Sequence, residues 1–145
     1  MQGGYIKNIQ IIVNDTQHRI PFISCRIPAG FPSPAEDYLE GTLDLNEHLI
    51  QHPEATYFLR VTGNSMIHAG IFSGDTLIVD RSLKPMDKCV VIAIVNGEFT
   101  VKRLRIRDGR IELVAENPLY PPIVIHDNSE LVIWGTVTYV IHKPK

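Results

Sequence analysis

From Thr56 to the C-terminus, short apolar runs rich in Val, Ile, Thr and aromatics alternate with turn signals. "TYFLRVT", "DTLIVDRS", "CVVIAIV", "EFTVKRLRI", "RIELVAE", "PIVIH" and "LVIWGTVTYVIH" each predict a strand. Asn96-Gly97 and Asp108-Gly109 separate three of these runs. A type I′ turn needs positive φ at both central residues, which Asn, Asp and Gly tolerate, so two successive hairpins are expected between Cys89 and Glu116. Helical patterning is scarce. In "DLNEHLIQHP", Asp44 is placed as N-cap and Glu47 at the third helical position completes a capping box, with His52-Pro53 as the stop. These patterns predict a compact, mainly antiparallel β domain with one or two short helices and no internal repeat.

The chain ahead of that domain reads differently. "RIPAGFPSPAEDYLEG", Arg26 to Gly41, carries Pro28, Pro32 and Pro34. Each proline removes a backbone donor, fixes φ and biases its preceding residue toward extended conformations. The expected organisation is an N-terminal arm over 1–29, an extended linker with a short helix over 30–55, and a β-rich core over 56–145. The arm is too short to be a separate helical DNA-binding domain.

At 145 residues, a single domain can bury its own core without metal or disulfide staples. With 44% hydrophobic and 21% charged residues, the composition is that of soluble globular chains, and no apolar run is long enough to span a bilayer. Lys7, Asn8, Asn14, Asp15, Gln17, His18 and Arg19 interrupt the N-terminal apolar residues before a secretory h-region forms, so the expected compartment is the cytoplasm. A formal net charge of −2 argues against binding driven by phosphate neutralisation. "KRLRIRDGR", Lys102 to Arg110, is therefore read as a solvated strand face and hairpin tip and not as a nucleic-acid surface. Cys25 and Cys89 form no CxxC pair and read as reduced thiols, with neither a zinc site nor a cofactor expected.

Candidate chemistry centres on "GNSMIHAG" and its Ser65. A hydroxyl is a poor nucleophile until a base takes its proton. His68 lies three residues on but has no evident orienting carboxylate; His48 and His52 fall on the expected helix, His126 and His142 near strand ends, and all read as surface residues. Lysine offers a different base. Period-2 alternation in "EFTVKRLRI" puts Thr100, Lys102, Leu104 and Ile106 on one face, so Lys102 shares its face with apolar residues. Burial disfavours ammonium and can lower a lysine pKa by ~3 to 5 units, leaving a neutral amine to act as base. Each residue also has a plainer reading: Ser65 as N-cap of the "MIHAG" turn, and Lys102 as a strand lysine reaching solvent.

"GNSM" with Ser65, "SGDTLIVDRS" and "NGEFTVKRL" with Lys102 37 residues after Ser65 (102 − 65) together resemble the LexA/UmuD superfamily of self-cleaving serine-lysine peptidases. "FPSPAEDYLEGTLDLNEHLIQHPEATYFLRVTGNSM" resembles the UmuD branch, so the likeness runs over nearly the whole chain from Gly30. The resemblance implies Ser65 as nucleophile, Lys102 as general base, and the backbone amides of Ser65 and Met66 as oxyanion donors. It also implies self-cleavage at Ala29-Gly30, where LexA-type sequences carry Ala-Gly and chromosomal UmuD-type ones often Cys-Gly; Cys25 lies four residues upstream of Ala29. Little side-chain bulk flanks that bond, which suits an extended peptide in a cleft. The implied partners are a RecA-DNA filament that stimulates cleavage, a second copy in a homodimer, and a UmuC-like Y-family polymerase in translesion synthesis during the SOS response. Asp75 and Asp80 read as structural, Asp75 in a Gly-Asp turn where a side-chain to backbone bond is the ordinary use.

Overall fold

The computed structural model describes residues 10–11, 18–23, 26–32, 34–35 and 39–145. In chain order the strands are β1 (Gln10–Ile11), β2 (Arg19–Ile23), β3 (Leu39–Asp44), β4 (Thr56–Arg60), β5 (Thr76–Asp80), β6 (Val90–Val95), β7 (Glu98–Arg107), β8 (Arg110–Val114), β9 (Ile123–Val124) and β10 (Leu131–Ile141). Among the described residues there is one α-helix, α1 (Leu45–Leu49). The chain divides into two compact units, residues 13–51 and residues 1–12 with 52–145.

The larger unit is an eight-stranded sheet in the order β1-β4-β5-β10-β6-β7-β8-β9, antiparallel at every pairing. All seven apolar runs read after Thr56 are strands, β4 to β10. Both expected hairpins form. Asn96 (φ +48°) with Gly97 (φ +85°) joins β6 to β7, and Asp108 (φ +50°) with Gly109 (φ +74°) joins β7 to β8. Positive φ at both central positions matches the type I′ twist to that of the strands.

Apolar side chains collect in two clusters. Val61, Met66, Ile71, Leu77, Val79, Ile92, Ile94 and Trp134 form one, and Val91, Ala93, Leu104 and Leu113 the other. Alternate residues of β6 supply both, Ile92 and Ile94 to the first, Val91 and Ala93 to the second. A strand buried on both faces needs apolar residues at consecutive positions, which is why "CVVIAIV" lacks alternation. β10 crosses the sheet with register shifts at Ile133/Gly135 and Val137/Tyr139. There the backbone of Gly135 lies against β5, so close that a Cβ would stand 2.5 Å from Val79 Cγ1. Trp134, beside it, packs edge-on to Phe99, tilts against Tyr57 and carries the Arg81 guanidinium over its ring at 4.4 Å.

In the smaller unit, β2 and β3 form a two-stranded antiparallel pair and lead into α1. Parts of the stretches read as arm and linker thus carry paired strands. Asp44 caps α1 as expected, its carboxylate accepting from Asn46 N–H at 2.9 Å, while the Glu47 carboxylate receives Arg19 at 3.2 Å. The helix is shorter than the sequence predicts. It ends at Leu49, because Ile50 turns extended and its N–H closes the last turn on the Asn46 carbonyl. Pro53 instead opens a 3₁₀ turn over Pro53–Ala55 in the larger unit, consistent with proline's tolerance at a helix start. Cys25 lies outside the described residues.

Candidate active site

Between β4 and β5 the chain makes a loop whose geometry is fixed at several points. Gly63 adopts φ +94°, a conformation that side chains resist, and its N–H donates to Ser73 Oγ at 3.2 Å. At the loop's base Val61 N–H donates to Asp75 O at 2.9 Å and Gly74 N–H to Val61 O at 2.8 Å. Met66, only 1% exposed, anchors the loop in the first apolar cluster. A 3₁₀ turn over Ile67–Ala69 follows and ends on Gly70 at φ +77°. Ser65 is not its cap. Met66 occupies that position without a side-chain bond, since the turn begins one residue later than a serine cap needs. The Ser65 side chain is turned instead to a partner on β7.

That partner is Lys102. Its Nζ lies 3.1 Å from Ser65 Oγ, 2.6 Å from Thr100 Oγ1 and 3.2 Å from the Val101 carbonyl oxygen. With only 8% of Lys102 exposed, burial pushes its pKa below the ordinary lysine range. The side chain does not reach solvent as a surface strand lysine would. Alternation along β7 is visible here, with Lys102 and Leu104 buried between half-buried Val101, Arg103 and Arg105, although Ile106 is exposed. Thr100, one step back on the same face, bonds Lys102 as same-face neighbours can.

A cleft of about 270 Å³ opens beside the pair. Ser65, Thr100 and Lys102 lie on its wall with apolar groups that include Leu59, Leu77 and Phe99. A hydroxyl and a desolvated amine in contact, beside a recess lined by both polar and apolar groups, form an arrangement suited to nucleophilic attack on a bound carbonyl. Residues 21–138 match the Peptidase S24-like family. The chain belongs to that family, the LexA/UmuD superfamily.

Relatives within this S24 group agree over most of the chain. It is 49% identical over 129 residues to protein SamA of Salmonella typhimurium, covering 89% of each chain. To protein ImpA of Escherichia coli it is 46% identical over 136 residues, covering 90% of this chain and 89% of that one. To the LexA repressor of Acidithiobacillus ferrooxidans it is 41% identical over 141 residues, 94% of this chain but 67% of the repressor.

The other candidates of the S24 chain fall elsewhere. His68 is exposed, with its backbone N–H on the Glu116 carbonyl at 2.9 Å, and His48 is exposed on α1. His126 is exposed, its backbone N–H donating to Ser129 Oγ. His52 and His142 hold carboxylates: His52 Nδ1 lies 2.6 Å from Asp80 Oδ2, and His142 Nδ1 2.6 Å from Asp75 Oδ1. Asp75 also accepts Phe72 N–H at 2.8 Å, and Asp80 accepts the Ser82 hydroxyl and N–H. Burial alone would raise both aspartates, but these bonds outweigh it and leave their pKa values low, while the bond to Asp80 raises that of His52. Two arginines of "KRLRIRDGR" are paired, Arg103 with Glu116 and Arg105 with Glu112. Ala29 and Gly30 lie exposed between β2 and β3 in the smaller unit. The His–Asp pairs join residues 28 and 67 positions apart, a separation for which the sequence carries no spacing rule. No helix among the described residues is long and apolar enough to cross a membrane.

Proposed function

We propose that this serine peptidase relative cleaves its own Ala29-Gly30 bond with Ser65 as nucleophile and Lys102 as general base. The observation that carries this reading is the 3.1 Å approach of Lys102 Nζ to Ser65 Oγ inside a desolvating site. As an ammonium, Lys102 has three donors for the oxygens of Ser65, Thr100 and Val101. As a neutral amine it has two, which Thr100 Oγ1 and the Val101 carbonyl accept. Its lone pair then faces the Ser65 hydroxyl, which donates to it. The pair is thereby set for proton transfer before any substrate arrives.

In the reaction the Ser65 proton moves to Lys102 Nζ as Oγ bonds to the Ala29 carbonyl carbon. The N–H groups of Ser65 and Met66, which have no acceptor among the described residues, receive the oxyanion. Lys102 returns its proton to the Gly30 nitrogen as the C–N bond breaks. Water then attacks the acyl-serine, giving a carboxylate on Ala29 and restoring the Ser65 hydroxyl. By likeness to the UmuD branch, a RecA-DNA filament stimulates the cut, and the shortened chain acts as a homodimer joined to a UmuC-like Y-family polymerase in SOS translesion synthesis.

Incubation of the purified chain across pH, read by intact-mass spectrometry, tests the reading. Cleavage after Ala29 is expected to accelerate as pH rises and Lys102 loses its proton. It is expected to be absent in Ser65→Ala and in Lys102→Ala, and a normal rate in either variant overturns the assignment.

A further inference from the structure

The segment that follows β8 touches the Ser65 loop at three points. Asn117 Nδ2 donates to the Asn64 carbonyl at 2.8 Å, Glu116 N–H donates to Met66 Sδ at 3.4 Å, and the Glu116 carbonyl accepts His68 N–H at 2.9 Å. Asn117 is 7% exposed and its Oδ1 accepts Leu119 N–H at 3.1 Å, so its amide is committed at both ends. The Glu116 carboxylate meanwhile accepts Arg103 Nε at 2.5 Å, and Arg103 is the residue after Lys102. One dipeptide therefore ties the nucleophile's loop to the base's strand.

The Asn64 carbonyl matters beyond its own bond. It belongs to the peptide unit whose nitrogen is that of Ser65, and a planar trans peptide points its C=O and N–H in opposite directions. Whatever holds the Asn64 oxygen also aims the Ser65 N–H and sets where the Ser65 Cα stands. Asn117 holds it with a buried amide bonded through both its nitrogen and its oxygen, where displacement leaves polar atoms unpaired.

We propose that Asn117 is a positioning residue for the nucleophile: its Nδ2 fixes the Asn64–Ser65 peptide so that Ser65 Oγ meets Lys102 Nζ and the Ser65 N–H faces the developing oxyanion. The assignment rests on the Ser65–Lys102 reading. A loop left free to drift by ~1 Å loses rate on the order of 10²-fold.

The test uses the full chain with Asn117→Asp and Asn117→Ala, reading self-cleavage against pH well below each unfolding midpoint. Asn117→Asp keeps an acceptor for Leu119 N–H but puts an oxygen in place of the Nδ2 donor. A purely structural role through Leu119 therefore survives in the Asp variant, and a role through Asn64 does not. The quantity compared is the plateau rate at high pH, which no shift in the Lys102 pKa caused by the added charge can change. Both variants are expected to lose about tenfold or more in plateau rate while an apparent pKa remains in their pH profiles. A plateau for Asn117→Asp within about twofold of the unmodified chain overturns the assignment, provided Ser65→Ala and Lys102→Ala are inactive alongside. Cleavage persisting in those two variants overturns the Ser65–Lys102 reading itself and, with it, the positioning role.

Discussion

Replacing Lys102 by methionine, in a Ser65→Ala background so that the chain stays intact, should stabilise the protein, and by an amount that depends on pH. Methionine has a similar length and no charge. The ammonium it replaces is buried, with burial the cause of its lowered pKa. A group with a depressed lysine pKa binds fewer protons folded than unfolded, so stability rises with pH between the folded value and the unfolded value of about 10.4. Below that window both states are charged and the folded state bears the whole desolvation cost, about 1.4 kcal/mol per unit of depression. Above the window the cost is gone. The methionine variant never bears it, and the Thr100 hydroxyl that loses Lys102 is only half-buried. The variant's advantage should therefore be greatest near neutral pH, on the scale of roughly 3 °C in Tm per kcal/mol for a chain of this length. It should shrink steadily as pH rises toward 10. Circular-dichroism melts of the two proteins at several pH values between 6 and 10 measure this. Parallel melting curves, or a methionine variant less stable by the same amount throughout, would refute the idea that Lys102 is held against its own charge.

Two further substitutions probe the sheet. Gly135→Ala puts a methyl 2.5 Å from Val79 Cγ1, a fully buried group that cannot retreat, and should cost about 1–3 kcal/mol, seen as a lowered urea midpoint; an unchanged midpoint counts against the close β5–β10 approach. His52→Ala removes a histidine whose pKa is raised by its bond to Asp80, with Glu54 adding to it. A raised folded pKa gives stability that is complete below about pH 6.5 and fades as pH rises through the folded value. The penalty of His52→Ala in urea melts should be larger at pH 5.5 than at pH 9, and equal penalties contradict the pairing.

The strands were legible because each run pairs β-branched residues with a bounding turn, and the two Asn-Gly and Asp-Gly turns fix the register of three strands without help from the rest of the fold. What the patterns did not contain is equally specific. The apolar continuity of β6 marks burial on both faces, yet nothing in that run says which strands flank it, and β10 from the far end of the chain separates β5 from β6. The helix ends ahead of the proline that marks its stop in the sequence, because Ile50 already adopts extended backbone angles.

The site divides along the same line. Lys102 could be placed on an apolar face by alternation, since Leu104 follows it at period 2, and Thr100 precedes it on that face for the same reason. Burial of its amine could not be read there, because burial depends on the loop from the β4–β5 connection that brings Ser65 to it. Nor does the Ser65 stretch say where its partner is. A serine after Gly63 and Asn64 fits a helix cap as well as a nucleophile until Met66 is seen to take the cap position and leave the hydroxyl to Lys102. Asn117 is the extreme case: an asparagine before proline has an ordinary turn reading, and only its bond to the Asn64 carbonyl marks it out. The chemistry thus rests on residues recognisable singly, whereas their alignment rests on backbone contacts between segments about 50 residues apart, which no local pattern encodes.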